Sequence, residues 1–208
     1  MKQEYKILEE IKTEQNNNVV LLGLDNTKNQ TLIIGVIHGD EPQGEDLINK
    51  YLTEHLKENV LFIPALNPDG KQLKTRTNSN KVDLNRNFPT KNWELTQKDN
   101  YFGGEKPASE KETQFLINVI KKYQPKSIIT LHTPYKIVNY DGPAKELAEK
   151  ISKIINYPIE ESIGYPTPGS FGTYVGMERN IPTITLEMDE EETIENLYIP
   201  IKEIVDML

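Results

Sequence analysis

The sequence predicts an α/β fold built on a mostly parallel sheet, and two observations carry that prediction. Short apolar runs, each long enough for one strand, alternate with stretches whose apolar residues recur at helical spacing. Several of these runs also stop abruptly at a polar, chemically versatile side chain, and open α/β sheets place ligands at the carboxyl ends of their strands. With 208 residues, 36% of them hydrophobic, the chain has material for a substantial core, and residues 1–208 are expected to form one domain. No apolar stretch approaches the ~18 residues of a membrane span. The charged opening Met1-Lys2-Gln3-Glu4-Tyr5-Lys6 lacks the apolar centre of a secretory leader, so the expected location is cytoplasmic. A net charge of −8 disfavours nucleic acid and anionic membranes as partners. Cysteine is absent, which excludes disulfide scaffolds and thiolate metal sites.

Taken in order, Val19 to Leu22 and Leu32 to Ile37 read as strands joined by the turn-rich Asp25 to Asn29. From Pro42 to Lys57, Leu47, Ile48, Tyr51, Leu52 and Leu56 follow helical spacing. Val60 to Leu66 is the next strand, and Asn67-Pro68-Asp69-Gly70 is a turn. Residues 71–108 are polar, Asn-rich and aperiodic, and loops of that length in compact domains usually serve function. A helix is expected from Ser109 to Tyr123, with Glu112 completing a capping box on Ser109. Strand Ser127 to Leu131 runs into His132, and Ala144 to Ile155 is an amphipathic helix. After the loop Gly164 to Ser170 come a helix near Phe171 to Arg179 and a strand, Thr183 to Leu186, that closes on Glu187. The tail from Thr193 is helical in pattern, with a kink or break expected at Pro200.

Three apolar runs thus end in metal- or proton-handling groups: His38, His132 and Glu187. His38 is followed three residues later by Glu41, and His with Glu forms the nitrogen and oxygen donor set of catalytic zinc sites. His55 lies in a polar part of its helix and reads as a surface residue. In the long loop, Thr75-Arg76 and Asp83-Leu84-Asn85-Arg86-Asn87-Phe88 offer two arginines, a residue type that binds carboxylates bidentately. The acidic run Glu187 to Glu192 precedes a helix and complements its dipole, so only Glu187 is given a chemical role.

In this order, His38-x-x-Glu41, Asn67-Pro68-Asp69-Gly70, Thr75-Arg76, Asp83 to Phe88, His132 and Thr185-Leu186-Glu187 resemble the zinc carboxypeptidases of the carboxypeptidase A clan. The resemblance spans about Thr31 to Met188. His38-Gly39-Asp40-Glu41 and Pro168-Gly169-Ser170-Phe171-Gly172-Thr173-Tyr174 look most like the bacterial murein peptide amidase branch. The resemblance implies a three-layer α/β/α fold with a mixed, mostly parallel twisted sheet. It also implies one Zn2+ per chain, held by His38, Glu41 and His132 with water in the open position. By similarity Glu187 would be the general base, Arg76 the oxyanion stabiliser, and Asn85 with Arg86 the grip on a substrate carboxylate. Asp83 would orient His38 through its other ring nitrogen. Tyr165 is the candidate for a tyrosine that closes over substrate. Phe171 falls where the family places the base of the leaving-group pocket. An apolar ring there offers nothing to a charged leaving group unless Glu178 or Arg179 reaches the site.

The implied activity is zinc-dependent hydrolysis of a peptide or isopeptide amide beside a free carboxylate. The γ-D-glutamyl-diaminopimelate bond met in peptidoglycan recycling fits that description. The implied partner is therefore a small peptide with a free carboxylate. The alternative is an N-acyl amino-acid deacylase resembling aspartoacylase or succinylglutamate desuccinylase. Those enzymes usually carry an added C-terminal β domain, whereas this sequence ends about twenty residues after Glu187.

Overall fold

The computed structural model describes residues 4–24, 29–161 and 166–208. Its strands are β1 (Lys6–Lys12), β2 (Asn18–Gly23), β3 (Thr31–Ile34), β4 (Val60–Ile63), β5 (Ser127–His132), β6 (Ile137–Asp141), β7 (Ile159–Glu160) and β8 (Thr183–Glu187). They form one eight-stranded sheet in the order β1-β2-β4-β3-β5-β8-β6-β7. The central strands β4, β3, β5 and β8 run parallel. Antiparallel pairing of β1 with β2, β2 with β4 and β6 with β8 makes the sheet mixed.

The helices are α1 (Gln43–Glu54), α2 (Pro68–Leu73), α3 (Lys111–Tyr123), α4 (Lys145–Ile155) and α5 (Ile194–Met207). Helices α1, α4 and α5 cover one face, where Tyr51, Ile151 and Ile201 meet Ile33, Phe62 and Ile184. Helix α3 covers the other, where Phe115, Leu116 and Val119 meet Leu32, Ile34 and Leu61. Strands buried on both faces need apolar residues at every position rather than at alternate ones, which explains their continuous apolar runs. The three-layer expectation therefore holds. No described helix is long and apolar enough to cross a membrane.

Several elements differ from expectation for identifiable reasons. Strand β3 stops at Ile34, short of His38. A Cβ on Gly35 would lie 2.4 Å from the Pro64 carbonyl oxygen, and Val36 takes a left-handed φ of 50°, so the chain bends out of the sheet early. Asn67-Pro68-Asp69-Gly70 opens α2 rather than forming an isolated turn; the Asn67 side chain caps the Gly70 N–H at 2.9 Å. The expected capping box on α3 does not form, because the Ser109 hydroxyl is engaged by the Asn87 amide at 2.9 Å and the Glu110 carboxylate at 2.6 Å. Helix α5 runs unbroken through Pro200. The carbonyl that Pro200 leaves unpaired belongs to exposed Asn196, where water can satisfy it. The segment expected as a helix near Phe171 to Arg179 carries a π-helical turn over Thr173–Met177.

Candidate active site

The C-terminal ends of β5 and β8 and the turn after β3 open onto one cleft, lined among others by His38, Glu41, Arg76, Asn85, Arg86, Asp141 and Glu187. Parallel pairing sets His132 and Glu187 opposite each other, so two chemically active side chains leave adjacent strands at the same level. His38 and Glu41 reach the cleft from the turn leading into α1. That turn is held by the Asn67 motif, whose side-chain amide donates to the carbonyls of Ile37 at 3.3 Å and Arg76 at 3.4 Å. Gly39 lies so close to it that a Cβ would stand 2.0 Å from the Gly70 carbonyl carbon. A turn motif about thirty residues downstream therefore fixes the first part of the site.

Two imidazoles converge on one carboxylate. His38 Nδ1 lies 2.8 Å from Glu41 Oε1, and His132 Nδ1 lies 2.8 Å from Glu41 Oε2. Both histidines are buried, their ring centroids are 4.8 Å apart, and one ligand atom from each of the three residues lies within 4.8 Å of the others. The other nitrogen of His38, Nε2, is 3.3 Å from Asp83 Oδ1. With its proton on Nε2, facing Asp83, His38 leaves the Nδ1 lone pair turned toward Glu41. Nitrogen and carboxylate donors arranged this way fit a zinc ion. Burial opposes charge on His38, but Glu41 and Asp83 outweigh it and raise its pKa to about 9. Burial likewise opposes charge on Glu41, whose carboxyl is nonetheless held far below the usual range by His38 and His132.

Asp83 organises the neighbouring residues. Its Oδ2 accepts from Arg76 Nε at 3.0 Å and its Oδ1 from the Asn85 N–H at 2.8 Å. Fully buried, it stays ionised because His38, Arg76 and Arg86 overcome the desolvation cost. Arg76 Nη1 points back toward Glu41 Oε1 at 3.8 Å, so one guanidinium joins Asp83 to the histidine cluster. The next turn, a 3-10 turn over Leu84–Arg86, buries Arg86, whose Nη1 donates to the Asn85 carbonyl at 2.7 Å. Tyr101, from the loop after Phe88, lays its ring 5.0 Å from the Arg76 guanidinium and 5.9 Å from that of Arg86. Sequence reasoning passed over Tyr101, which has no periodicity or motif around it.

Glu187 is 7% exposed, and its Oε2 has no hydrogen-bond partner among the described residues. Burial raises its pKa; the Glu41 charge adds to the rise, while His132 and His38 counter it. A desolvated carboxylate with a free oxygen beside the histidines is suited to take and return a proton.

Two expectations need correction, and a third lies outside the described residues. The ring of Phe171 does not line the cleft: it is 2% exposed and packs on Phe88 at 5.0 Å between centroids. Its contribution is backbone, the N–H donating to Asn85 Oδ1 at 2.9 Å. Neither Glu178 nor Arg179 supplies the missing charge. Glu178 accepts from the Lys91 N–H, and Arg179 stacks 3.4 Å from the Tyr174 ring centroid. Tyr165 lies outside the described residues. His55 sits at the end of α1, its Nε2 3.7 Å from Glu54, away from the cleft.

Nitrogen and oxygen donors gathered beside a desolvated carboxylate and an arginine suit amide hydrolysis, and the class they define is that of the metal-dependent hydrolases. Within that class the chain belongs to the zinc carboxypeptidase family (peptidase M14), whose model matches residues 8–207. Murein peptide amidase A of Vibrio campbellii is 37% identical over 176 residues, 76% of this chain and 68% of that protein. The protein of the same name from Escherichia coli K12 is 36% identical over 171 residues, 75% and 69% of the two chains. The crystal structure of murein-tripeptide amidase MpaA from Escherichia coli O157 superposes with a TM-score of 0.85 at 26% identity, covering all of this chain and 92% of that one. Carboxypeptidase A from Helicoverpa armigera shares the fold, with a TM-score of 0.79 at 16% identity over 98% of this chain and 67% of that one.

Proposed function

We propose that this hydrolase cleaves a murein peptide at the amide joining the γ-carboxyl of D-glutamate to diaminopimelate, using one zinc ion held by His38, Glu41 and His132. The observation that carries this reading is the convergence of those three side chains with Glu187, Arg76 and Asn85-Arg86 on one cleft. The names of the relatives support the murein substrate.

A zinc ion held by His38, Glu41 and His132 would supply polarisation of the scissile carbonyl and acidification of the attacking water. The side chains do the rest. Arg86 and the amide nitrogen of Asn85 receive the free carboxylate of the leaving residue; the Asn85 oxygen is already committed to Phe171 N–H, which points the NH2 at the substrate. Arg76, with Nε fixed on Asp83, keeps its remaining N–H groups for the charge that develops on the carbonyl oxygen. Glu187 Oε2 takes the proton of the attacking water and delivers it to the departing nitrogen. Its raised pKa makes it a stronger base for the first of these transfers than an ordinary carboxylate would be.

Offering L-Ala-γ-D-Glu-diaminopimelate, a small panel of C-terminal dipeptides and N-acetyl-aspartate to the zinc-loaded protein tests this. Cleavage of the first is expected, and turnover of N-acetyl-aspartate alone would replace the amidase with the deacylase. The cytoplasmic recycling role expected from the resemblance goes with this reading. Recovery of the tripeptide-cleaving activity in the cytosolic fraction of the source cells would check it.

A further inference from the structure

Arginine is scarce in this chain. Three arginines stand against twenty-one lysines, so lysine fills almost every place that asks only for positive charge. All three arginines lie against tyrosine rings. Arg76 and Arg86 are 5.0 and 5.9 Å from the Tyr101 ring centroid, and Arg179 is 3.4 Å from that of Tyr174. A planar guanidinium can stack flat on an aromatic face and an ammonium cannot, which gives the choice of arginine at these places a physical reason.

Tyr101 faces two guanidiniums at once, and its backbone is tied to the turn that carries one of them. The carbonyl of the next residue, the buried Phe102, accepts from the Asp83 N–H at 2.8 Å. A Cβ on Gly103 would stand 2.5 Å from the Arg86 carbonyl oxygen, so the chain after Tyr101 lies directly on the Leu84–Arg86 turn. The Tyr101 N–H in turn donates to Asp99 Oδ1 at 2.7 Å. The ring lines the active cleft and also a neighbouring hollow formed with Glu94, Thr96, Pro166 and Pro168.

The two arginines have reason to lean on such a ring. Arg76 is fixed through Nε on Asp83, while its Nη1 stays 3.8 Å from Glu41 Oε1. Arg86 is buried, belongs to no ion pair among the described residues, and bonds the carbonyl of its own neighbour. Both act on the single carboxylate of Asp83. Two like charges beside one counter-charge repel each other, and the electron-rich face of Tyr101 attracts both. We infer that Tyr101 is a positioning residue for the reaction, its ring orienting Arg86 for the substrate carboxylate and Arg76 for the developing oxyanion. Binding and chemistry then share one support. This rests on the roles given to the two arginines in the amidase reading, and it assigns the work to the ring rather than to the hydroxyl.

Tyr101→Leu, which removes the ring, and Tyr101→Phe, which keeps it, test this with two readouts. The first is independent of activity: protein labelled with 15N-arginine gives at most three Nε–H signals, identified by single Arg→Lys substitutions. Tyr101→Leu should shift the Arg76 and Arg86 signals and leave that of Arg179 in place, while Tyr101→Phe should keep all three near their wild-type positions. The second is the hydrolysis of L-Ala-γ-D-Glu-diaminopimelate at matched zinc content. Tyr101→Leu should raise KM and lower kcat by about three- to tenfold each, and Tyr101→Phe should restore both to within about twofold. In an Arg86→Lys background, Tyr101→Leu should still lower kcat but no longer raise KM, a split that a general loss of structure does not produce. Unmoved arginine signals in Tyr101→Leu overturn the inference, and so do shifted signals with unchanged kinetics. An equal loss in Tyr101→Phe overturns it too, since the hydroxyl would then carry the effect. If the wild type cleaves no γ-glutamyl amide, the amidase reading falls, and the arginine signals decide by themselves whether Tyr101 orients the pair.

Discussion

At the scale of single residues, the site divides proton handling from orientation. Glu187 has a free, buried oxygen and no part in holding His38 or His132. Glu187→Gln should therefore retain zinc, measured as one ion per chain by metal analysis, while kcat falls by about 10²–10⁴. Asp83 behaves in the opposite way, since it touches His38, Arg76 and the Asn85 backbone at once. Asp83→Asn should weaken zinc binding by about 10–100-fold in competition with a chelator, because the imidazole loses the carboxylate that orients it. His132 and Glu187 were legible in the sequence because each terminates an apolar run that reads as a buried strand. Tyr101 was not. It lies in an aperiodic loop, and its place against Arg76 and Arg86 depends on residues fifteen and more positions earlier. No local signal reports such a contact.

At the scale of elements, the legible parts are those buried on both faces. The central strands and the amphipathic helices declare themselves by apolar content alone, and their register then follows. Strand β1 lies at the sheet edge with charged residues and an irregular register between Ile7 and Glu9, so its sequence, Lys-Ile-Leu-Glu-Glu-Ile-Lys, gives only a weak alternation. Helix α2 was hidden because its first residues are also the strongest turn signal in the chain, and a capped helix start and a turn share the same chemistry. The consequence for function lies at the contact between this helix and the metal-site turn. Gly39→Ala would force a Cβ against the backbone of Gly70 and Lys71. Stability should fall by about 1–3 kcal/mol in urea unfolding, the range for overpacking. Zinc affinity should fall as well, because the displaced segment carries His38 and Glu41.

At the scale of the whole molecule, one buried acid remote from the cleft should shape how stability responds to pH. Glu112, at the start of α3, is 2% exposed, and its Oε1 has no hydrogen-bond partner among the described residues. Burial, with the charges of Glu110 and Asp69, pushes its pKa up from 4.5 to about 7 despite hydrogen bonds from its own N–H and from Asn78. The folded state thus holds a proton that the unfolded state has already released. Its contribution is fully present below about pH 4.5, shrinks as the pH rises, and is lost above about pH 7. The accumulated cost at alkaline pH is on the order of 3 kcal/mol. Glu112→Gln keeps the shape and removes the ionisation, so it should stabilise the protein at pH 8 and change it little at pH 4.5. Thermal melts of both proteins across pH 4.5–8.5 check this: the difference in Tm should open with rising pH and level off above about 7. A constant difference would mean that the Glu112 carboxyl titrates normally and that α3 accommodates its charge.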